Sequence, residues 1–258
     1  MCGRYAATKD PATLAAEFDA VDETDSYEPR ADYNVAPTKQ EVTVVQRHPR
    51  DDEGNPDPNS TVRSLRVMRW GLVPFWAKDK SVGAKMINAR AESVATKPAF
   101  KSSLAKRRCL VPADGWYEWR RDGGTKQPFF MTSADGSSLA FAGLWSTWRD
   151  KADEEAEPLV TYTVLTTDAI GQLTDIHDRM PMVLPRESWA AWLDPDREDV
   201  SDLLVAPSME LVSALELRPV SSAVNSVRNN GPELVVRHEP VPDLDEPALF
   251  DVEDTPGR

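Results

Sequence analysis

The 258-residue chain is poor in the residues that staple or metallate small proteins: it has two cysteines, Cys2 and Cys109, and three histidines, His48, His177 and His238. That excludes a disulfide framework and a repeated zinc knuckle, and it suits a reducing compartment. No run approaches the roughly 18 to 20 uncharged apolar residues of a membrane-spanning helix, and Met1-Cys2-Gly3-Arg4-Tyr5 lacks the apolar stretch of a signal peptide. The expectation is a cytoplasmic protein without membrane contact. No cluster of ligands has metal spacing, so neither a metal nor an organic cofactor is expected. Internal repeats and long low-complexity linkers are lacking too, and a single domain is the simplest organisation.

What is abundant is acid. Asp and Glu number 43 against 30 Lys and Arg, for a net charge of −13. Net charge reports solubility and long-range field, and a local basic stripe can still bind phosphate. The charges are in fact segregated: Lys85 to Arg121 holds nine basic residues against three acidic, and from Asp194 onward there are five basic against fifteen acidic. Twenty of the thirty cations are Arg, and acids crowd segments such as Asp150 to Glu157. This composition reads as a surface kept soluble in high salt. At molar salt the screening length falls to about 3 Å, which weakens any purely electrostatic hold on a polyanion.

Strand signals dominate the interior: Val42–Val45, Ser64–Trp70, Pro128–Met131, Leu139–Leu144 and Thr161–Thr166 are short, apolar or alternating, and bounded by turn residues. Helical spacing is confined to Pro11–Phe18, Pro98–Ala105, Glu187–Leu193 and Ser201–Leu204. The pattern predicts an α+β fold whose core is a curved, barrel-like, mostly antiparallel sheet with a few peripheral helices. His48–Ser60 and Arg149–Pro158 read as surface loops, and 239–258 as an acidic, poorly ordered tail.

Cys2 is the most informative position. Its small side chain favours removal of Met1, which would leave an α-amine of pKa about 7.7 to 8.0 beside a thiol of pKa about 8.5, both partly nucleophilic at neutral pH. A chance residue at a frayed end is the competing reading. Gly3 permits close backbone approach, and Arg4 offers a bidentate anion contact. His177, in Asp175-Ile176-His177-Asp178-Arg179, is either a structural hydrogen-bonder or a proton-transfer group beside an anion site. Glu118, among Trp116, Tyr117 and Trp119, is either a solvated strand residue or a desolvated acid with a raised pKa. Asn88 and Arg90 share a strand face, where they could orient a substrate carbonyl or hydroxyl and clamp a phosphate. Most of the eight tryptophans are core filling by default, yet exposed rings near Arg would stack bases. Trp70, Pro74 and Trp76 form a candidate wedge between stacked bases.

Taken together, Met1–Tyr5, Tyr33-Asn34-Val35-Ala36-Pro37-Thr38, Met68–Pro74, Ile87–Glu92, Arg108–Trp119 and His177–Pro181 resemble the SRAP (SOS response-associated peptidase) family, in order from Cys2 to about Pro240. The resemblance implies a domain over 2–238 that captures abasic sites in single-stranded DNA as a covalent crosslink, with lyase-like Schiff-base chemistry. Cys2 would be the crosslinking nucleophile, Asn88, Glu118 and His177 its partners, and Arg4, Arg90 and Arg179 phosphate or backbone contacts. The implied protein acts as a monomer, associates with the nucleoid when working, and meets its lesion on single strands or at their junctions with duplex. Two other classes fit the same residues. One is an N-terminal-nucleophile thiol peptidase or amidase, with autoproteolysis among its reactions; the other is a non-covalent single-strand binding module.

Overall fold

A computed structural model describes residues 2–24, 27, 30–122, 125–153 and 155–238; the tail expected over 239–258 lies outside them. In chain order the elements are β1 (Tyr5–Ala7), helix α1 (Pro11–Phe18), β2 (Val21–Asp22), β3 (Asp32–Val35), β4 (Gln40–Arg47) and β5 (Val62–Trp70). Next come β6 (Asn88–Arg90), α2 (Lys101–Lys106), β7 (Arg108–Ala113), β8 (Gly115–Asp122), β9 (Thr125–Ser133), β10 (Leu139–Trp148) and β11 (Leu159–Asp168). Then follow β12 (Arg179–Pro181), α3 (Trp189–Leu193), α4 (Met209–Ser213) and β13 (Leu215–Pro219), with short 3-10 turns between. Every strand expected in the interior lies inside one of these. The helical signals are weaker in fact: Glu187–Leu193 divides into a 3-10 turn and α3, and Ser201–Leu203 is one 3-10 turn, too short to close a second. The signal over Pro98–Ala105 is met by α2, shifted to Lys101–Lys106, and that over Pro11–Phe18 by α1 in full, with the Asp10 carboxylate accepting from Thr13 N–H at 3.0 Å, Pro11 in its first turn and Asp19 in the left-handed region at its end.

The strands form two sheets. One is five-stranded, in the order β13-β9-β8-β1-β3, and antiparallel throughout. The other runs β12-β11-β10-β7-β4-β5-β2, with β6 added alongside β11. It curls until β5 meets β11 through two parallel pairs, Arg69 with Thr161 and Trp70 with Tyr162. The result is an α+β fold, mostly antiparallel, whose curved core is a ring closed by a short parallel contact rather than a barrel wall.

Period-two alternation explains why β7 is buried at every position. Cys109, Val111 and Ala113 point to one apolar cluster with Phe141, Trp145 and Val164, while Leu110 points to another with Ala142, Leu144 and Leu165. Each of the larger side chains stabilises the fold by about 1.5–3 kcal/mol on burial.

A glycine contact delivers β6 to this ring. Gly71 turns the chain at φ +113°, and a Cβ there would sit 2.6 Å from the carbonyl oxygen of Gly83, whose own Cβ would sit 2.4 Å from that of Gly71. The two backbones can therefore touch. Trp70 Nε1 then donates to Ile87 O at 2.9 Å and Leu72 N–H to Met86 O at 3.1 Å, which sets Asn88 at the start of β6. Gly71→Ala should destabilise the protein by about 3 kcal/mol, combining strain with overpacking. Urea unfolding would show it, and an unchanged midpoint would contradict this packing.

Candidate active site

Strand pairing gathers the site from four distant segments. β1 pairs with β8 through Tyr5–Trp116 and Ala6–Gly115, and Tyr117 N–H bonds Arg4 O at 3.0 Å, so Cys2 is drawn toward the middle of β8. Gly115 allows the close β8–β9 approach, since a Cβ would stand 2.3 Å from Met131 O. On β8, Trp116 and Glu118 share a face, and Trp116 packs in the cluster that contains Cys2. β6 lies beside β11 with Asn88 opposite Val164, and Asn88 Nδ2 donates to Cys2 O at 2.7 Å. Asn88 Oδ1, out of solvent, accepts no hydrogen bond from any described residue. His177 follows the 3-10 turn Gly171–Asp175, its N–H bonded to Leu173 O, and its Nε2 stands 3.9 Å from Glu118 Oε2. Cys2, Asn88, Glu118 and His177 thus come together.

Burial sets their proton affinities. Glu118 is 4% exposed, and loss of water pushes its pKa up to about 7. Cys2 is fully buried; desolvation first, then the charge of Glu118, drives the thiol far above its ordinary range. Burial thus works against the partial ionisation expected of this thiol. Burial also pulls the imidazole of His177 below its ordinary pKa. Nδ1 of that ring accepts Arg179 N–H at 3.0 Å while lying 2.7 Å from Asp178 Oδ1, and the two contacts require opposite states of Nδ1. The neutral ring with its proton on Nε2, facing Glu118, satisfies the fixed backbone donor. The exposed Asp178 carboxylate is the partner free to turn away.

An open cavity of about 530 Å³ lies over the site, lined by Glu118, Trp119, Arg121, Lys126, His177 and Asn225. Arg121 and Lys126 are cross-strand partners on the β8–β9 hairpin, and Trp119 Nε1 donates to Asn225 Oδ1 at 2.7 Å. Trp119 and Arg121 are visible in the sequence beside Glu118. Lys126 follows only once the hairpin register is known, and Asn225 had no local signal.

The cations and aromatics expected to touch DNA divide sharply. Arg179 is 7% exposed, with its guanidinium bonded to both Glu92 oxygens, Asp168 Oδ1 and Thr166 O at 2.5–3.0 Å. It braces the chain after β6 against β11 and β12, and two carboxylates already answer its charge. Arg4 bonds Asn34 Oδ1 at 2.7 Å and the carbonyls of Val224 and Asn225 at 2.9 and 3.3 Å, tying β1 to the turn that carries Asn225. Arg90 is exposed and has no ion pair among the described residues. Trp70 is fully buried and Pro74 is buried, so neither offers a face to a base, whereas Trp76 is 48% exposed. The wedge reading fails for the first two because Trp70 packs against Tyr5 and Tyr162 inside the ring.

A carboxyl and an imidazole that line a cavity with two cations, with a buried thiol and an amide behind them, make up a set of groups able to carry nucleophilic and acid–base chemistry. The chain belongs to the SOS response associated peptidase (SRAP) family, whose model matches residues 1–227. Abasic site processing protein YoqW of Bacillus subtilis (strain 168) is 39% identical over 246 residues, covering 92% of this chain and 100% of that one. Abasic site processing protein YedK of Escherichia coli (strain K12) is 35% identical over 242 residues, covering 91% and 99%. A crystallographically solved protein of Bacteroides thetaiotaomicron superposes with a TM-score of 0.74 at 25% identity, covering 92% of this chain and 100% of that one.

The raised pKa of Glu118 has a consequence for stability. Between its ordinary value of 4.5 and about 7 the folded chain holds a proton that the unfolded chain has released, so stability falls as pH rises through that window. The full difference for this one group is roughly 3 kcal/mol. Glu118→Gln should flatten the decline measured by urea unfolding between pH 4.5 and 8. An equal decline in the variant would remove Glu118 from the account.

Proposed function

We propose that this protein captures abasic sites in single-stranded DNA as a covalent thiazolidine crosslink through Cys2. The observation that carries the reading is the convergence of Cys2, Asn88, Glu118 and His177, the last two lining a cavity that Arg121 and Lys126 also line. The abasic site processing relatives support the lesion as substrate.

The chemistry follows from the groups. With Met1 removed, the Cys2 α-amine adds to the aldehyde carbon of the opened deoxyribose, and the resulting carbinolamine loses water to give an imine. The thiol then adds to that carbon; its proton goes to nitrogen, and a five-membered ring closes. One water leaves, and nothing is oxidised or reduced. A protonated, buried thiol makes amine-first order the natural one. Glu118, with a pKa near neutrality, serves both halves: its acid form protonates the departing hydroxyl and its carboxylate then takes the thiol proton. His177, neutral and with Nε2 turned toward Glu118, shuttles protons to the cavity. Asn88 fixes the Cys2 backbone through Nδ2 and offers Oδ1 to a sugar hydroxyl. Arg179 acts as a positioning residue, while Arg90, Arg121 and Lys126 meet phosphates and Trp76 meets a base.

A denaturing gel with single-stranded DNA carrying one abasic site tests the proposal. Wild type should give a stable shifted band, Cys2→Ala none, and Cys2→Ser a less stable amine-derived one. Glu118→Gln should slow capture about 100-fold and lose the decline in rate above pH 7. A stable adduct with Cys2→Ala would overturn the reading. So would peptide cleavage without an adduct, the mark of a thiol peptidase, or salt-labile binding alone, the mark of a non-covalent module.

A further inference from the structure

A second cationic groove lies apart from the active-site cavity and shares no lining residue with it. It encloses about 590 Å³ between the end of β4, the loop that follows, the α2–β7 junction and β10. Arg47, His48, Arg50, Lys106 and Arg107 line it around Trp145, and no carboxylate does. In a chain of net charge −13 such a surface runs against the average.

Two of these cations have local answers. His48 Nε2 lies 3.0 Å from Asp196 Oδ1 and Lys106 Nζ 3.1 Å from Glu198 Oε1. Arg47, Arg50 and Arg107 have no ion pair among the described residues. The Arg50 guanidinium bonds the carbonyl of Gly54, a neutral acceptor. The pKa of Arg47, an exposed residue, is lowered first by partial desolvation and then by the charges of Arg50 and Arg107. Like charges held together without a counter-charge oppose folding, and an external anion would relieve them.

Trp145 defines the kind of anion. Its ring is only 8% exposed, with the guanidinium of Arg47 at 5.6 Å and that of Arg107 at 5.5 Å from its centroid. The indole is a platform that orients two cations and has no face left for stacking a base. A ligand here is met through its phosphates. Arg47 and Arg107 flank one indole, and Arg50 lines the same groove, which offers more cations than a single phosphate needs.

Strand register relates the groove to the active site. Trp145 is two residues along β10 from Gly143, which pairs with Val164, which in turn pairs with Asn88. That is about 7 Å along the strand and about 10 Å across two strand spacings, a separation one oligonucleotide can bridge.

We propose that this groove is a second nucleic-acid site that grips the sugar–phosphate backbone of single-stranded DNA without reading its bases. The inference rests on the proposed DNA substrate for its biological setting, but the binding itself requires neither a lesion nor Cys2. It predicts that Cys2→Ala binds intact single-stranded oligonucleotide as wild type does in fluorescence anisotropy. In that background Arg47→Gln with Arg107→Gln should weaken binding at least tenfold and lower the salt slope by about 1.4, two cations at 0.7 each. Arg47→Lys with Arg107→Lys should keep most of the affinity, and Arg47→Gln or Arg50→Gln alone, both at exposed positions, serves if the double variant does not fold. Crosslinking by the groove variants at saturating abasic DNA should reach the wild-type extent. Unchanged affinity and slope would overturn the groove, as would a preference for pyrophosphate over the oligonucleotide or for a matched duplex over the single strand. Loss of all crosslinking by wild type with binding intact would overturn the proposed capture and leave the groove standing.

Discussion

Cys2 and Glu118 are withdrawn from water side by side, and in such a setting neither can carry its negative charge cheaply. The carboxyl is therefore half-protonated near neutrality and the thiol fully protonated. Much of the remaining structure serves this pairing. β1 and β8 bring the two together, the ring of the larger sheet supplies the apolar wall beneath them, and the β6–β11 contact lays Asn88 over the Cys2 carbonyl. A thiol attacking by itself would need the opposite environment, one that favours thiolate. The site instead suits a sequence of steps in which protons move together with bonds.

The arginines show how one residue type is divided between architecture and recognition. Arg179 and Arg4 spend their donors on Glu92, Asp168, backbone carbonyls and Asn34, which rigidifies the ground around His177 and Asn225. Arg108 does the same on the other side of the ring, its guanidinium bonding carbonyls from α2 and from the α3 region. The exposed cations Arg90, Arg121 and Lys126, and Arg47 and Arg107 beside Trp145, have no ion pair among the described residues. Guanidiniums are well suited to both uses because the planar fork fits carbonyls, carboxylates and phosphates alike.

An acidic protein that is to meet the polyanion proposed above would have to confine its attraction to patches. Here the anionic surplus lies in surface segments and in the C-terminal part of the sequence, while cations gather where β8, β9, β4 and β10 end. Covalent capture would make retention independent of salt once formed, leaving electrostatics to govern encounter. That division is useful at ionic strengths where screening shortens the reach of every charge.

Much was legible in the sequence alone. Runs such as Thr161–Thr166 and Leu139–Leu144 announced strands because side chains on alternate faces must both be apolar when both faces are covered, and Cys2, Asn88, Glu118 and His177 stood out by chemical type and local setting. Burial could not be read there. Trp70 and Trp76 lie six residues apart in one apolar segment, yet one is sealed inside the ring and the other faces solvent, because only the closure of β5 onto β11 decides which side becomes interior. For the same reason the state of the Cys2 thiol, the bracing role of Arg179 and the place of Asn225 over the cavity belong to the tertiary structure. Residue type determines what a group can do, whereas solvent exclusion and long-range pairing determine which proton it holds and which neighbour it meets.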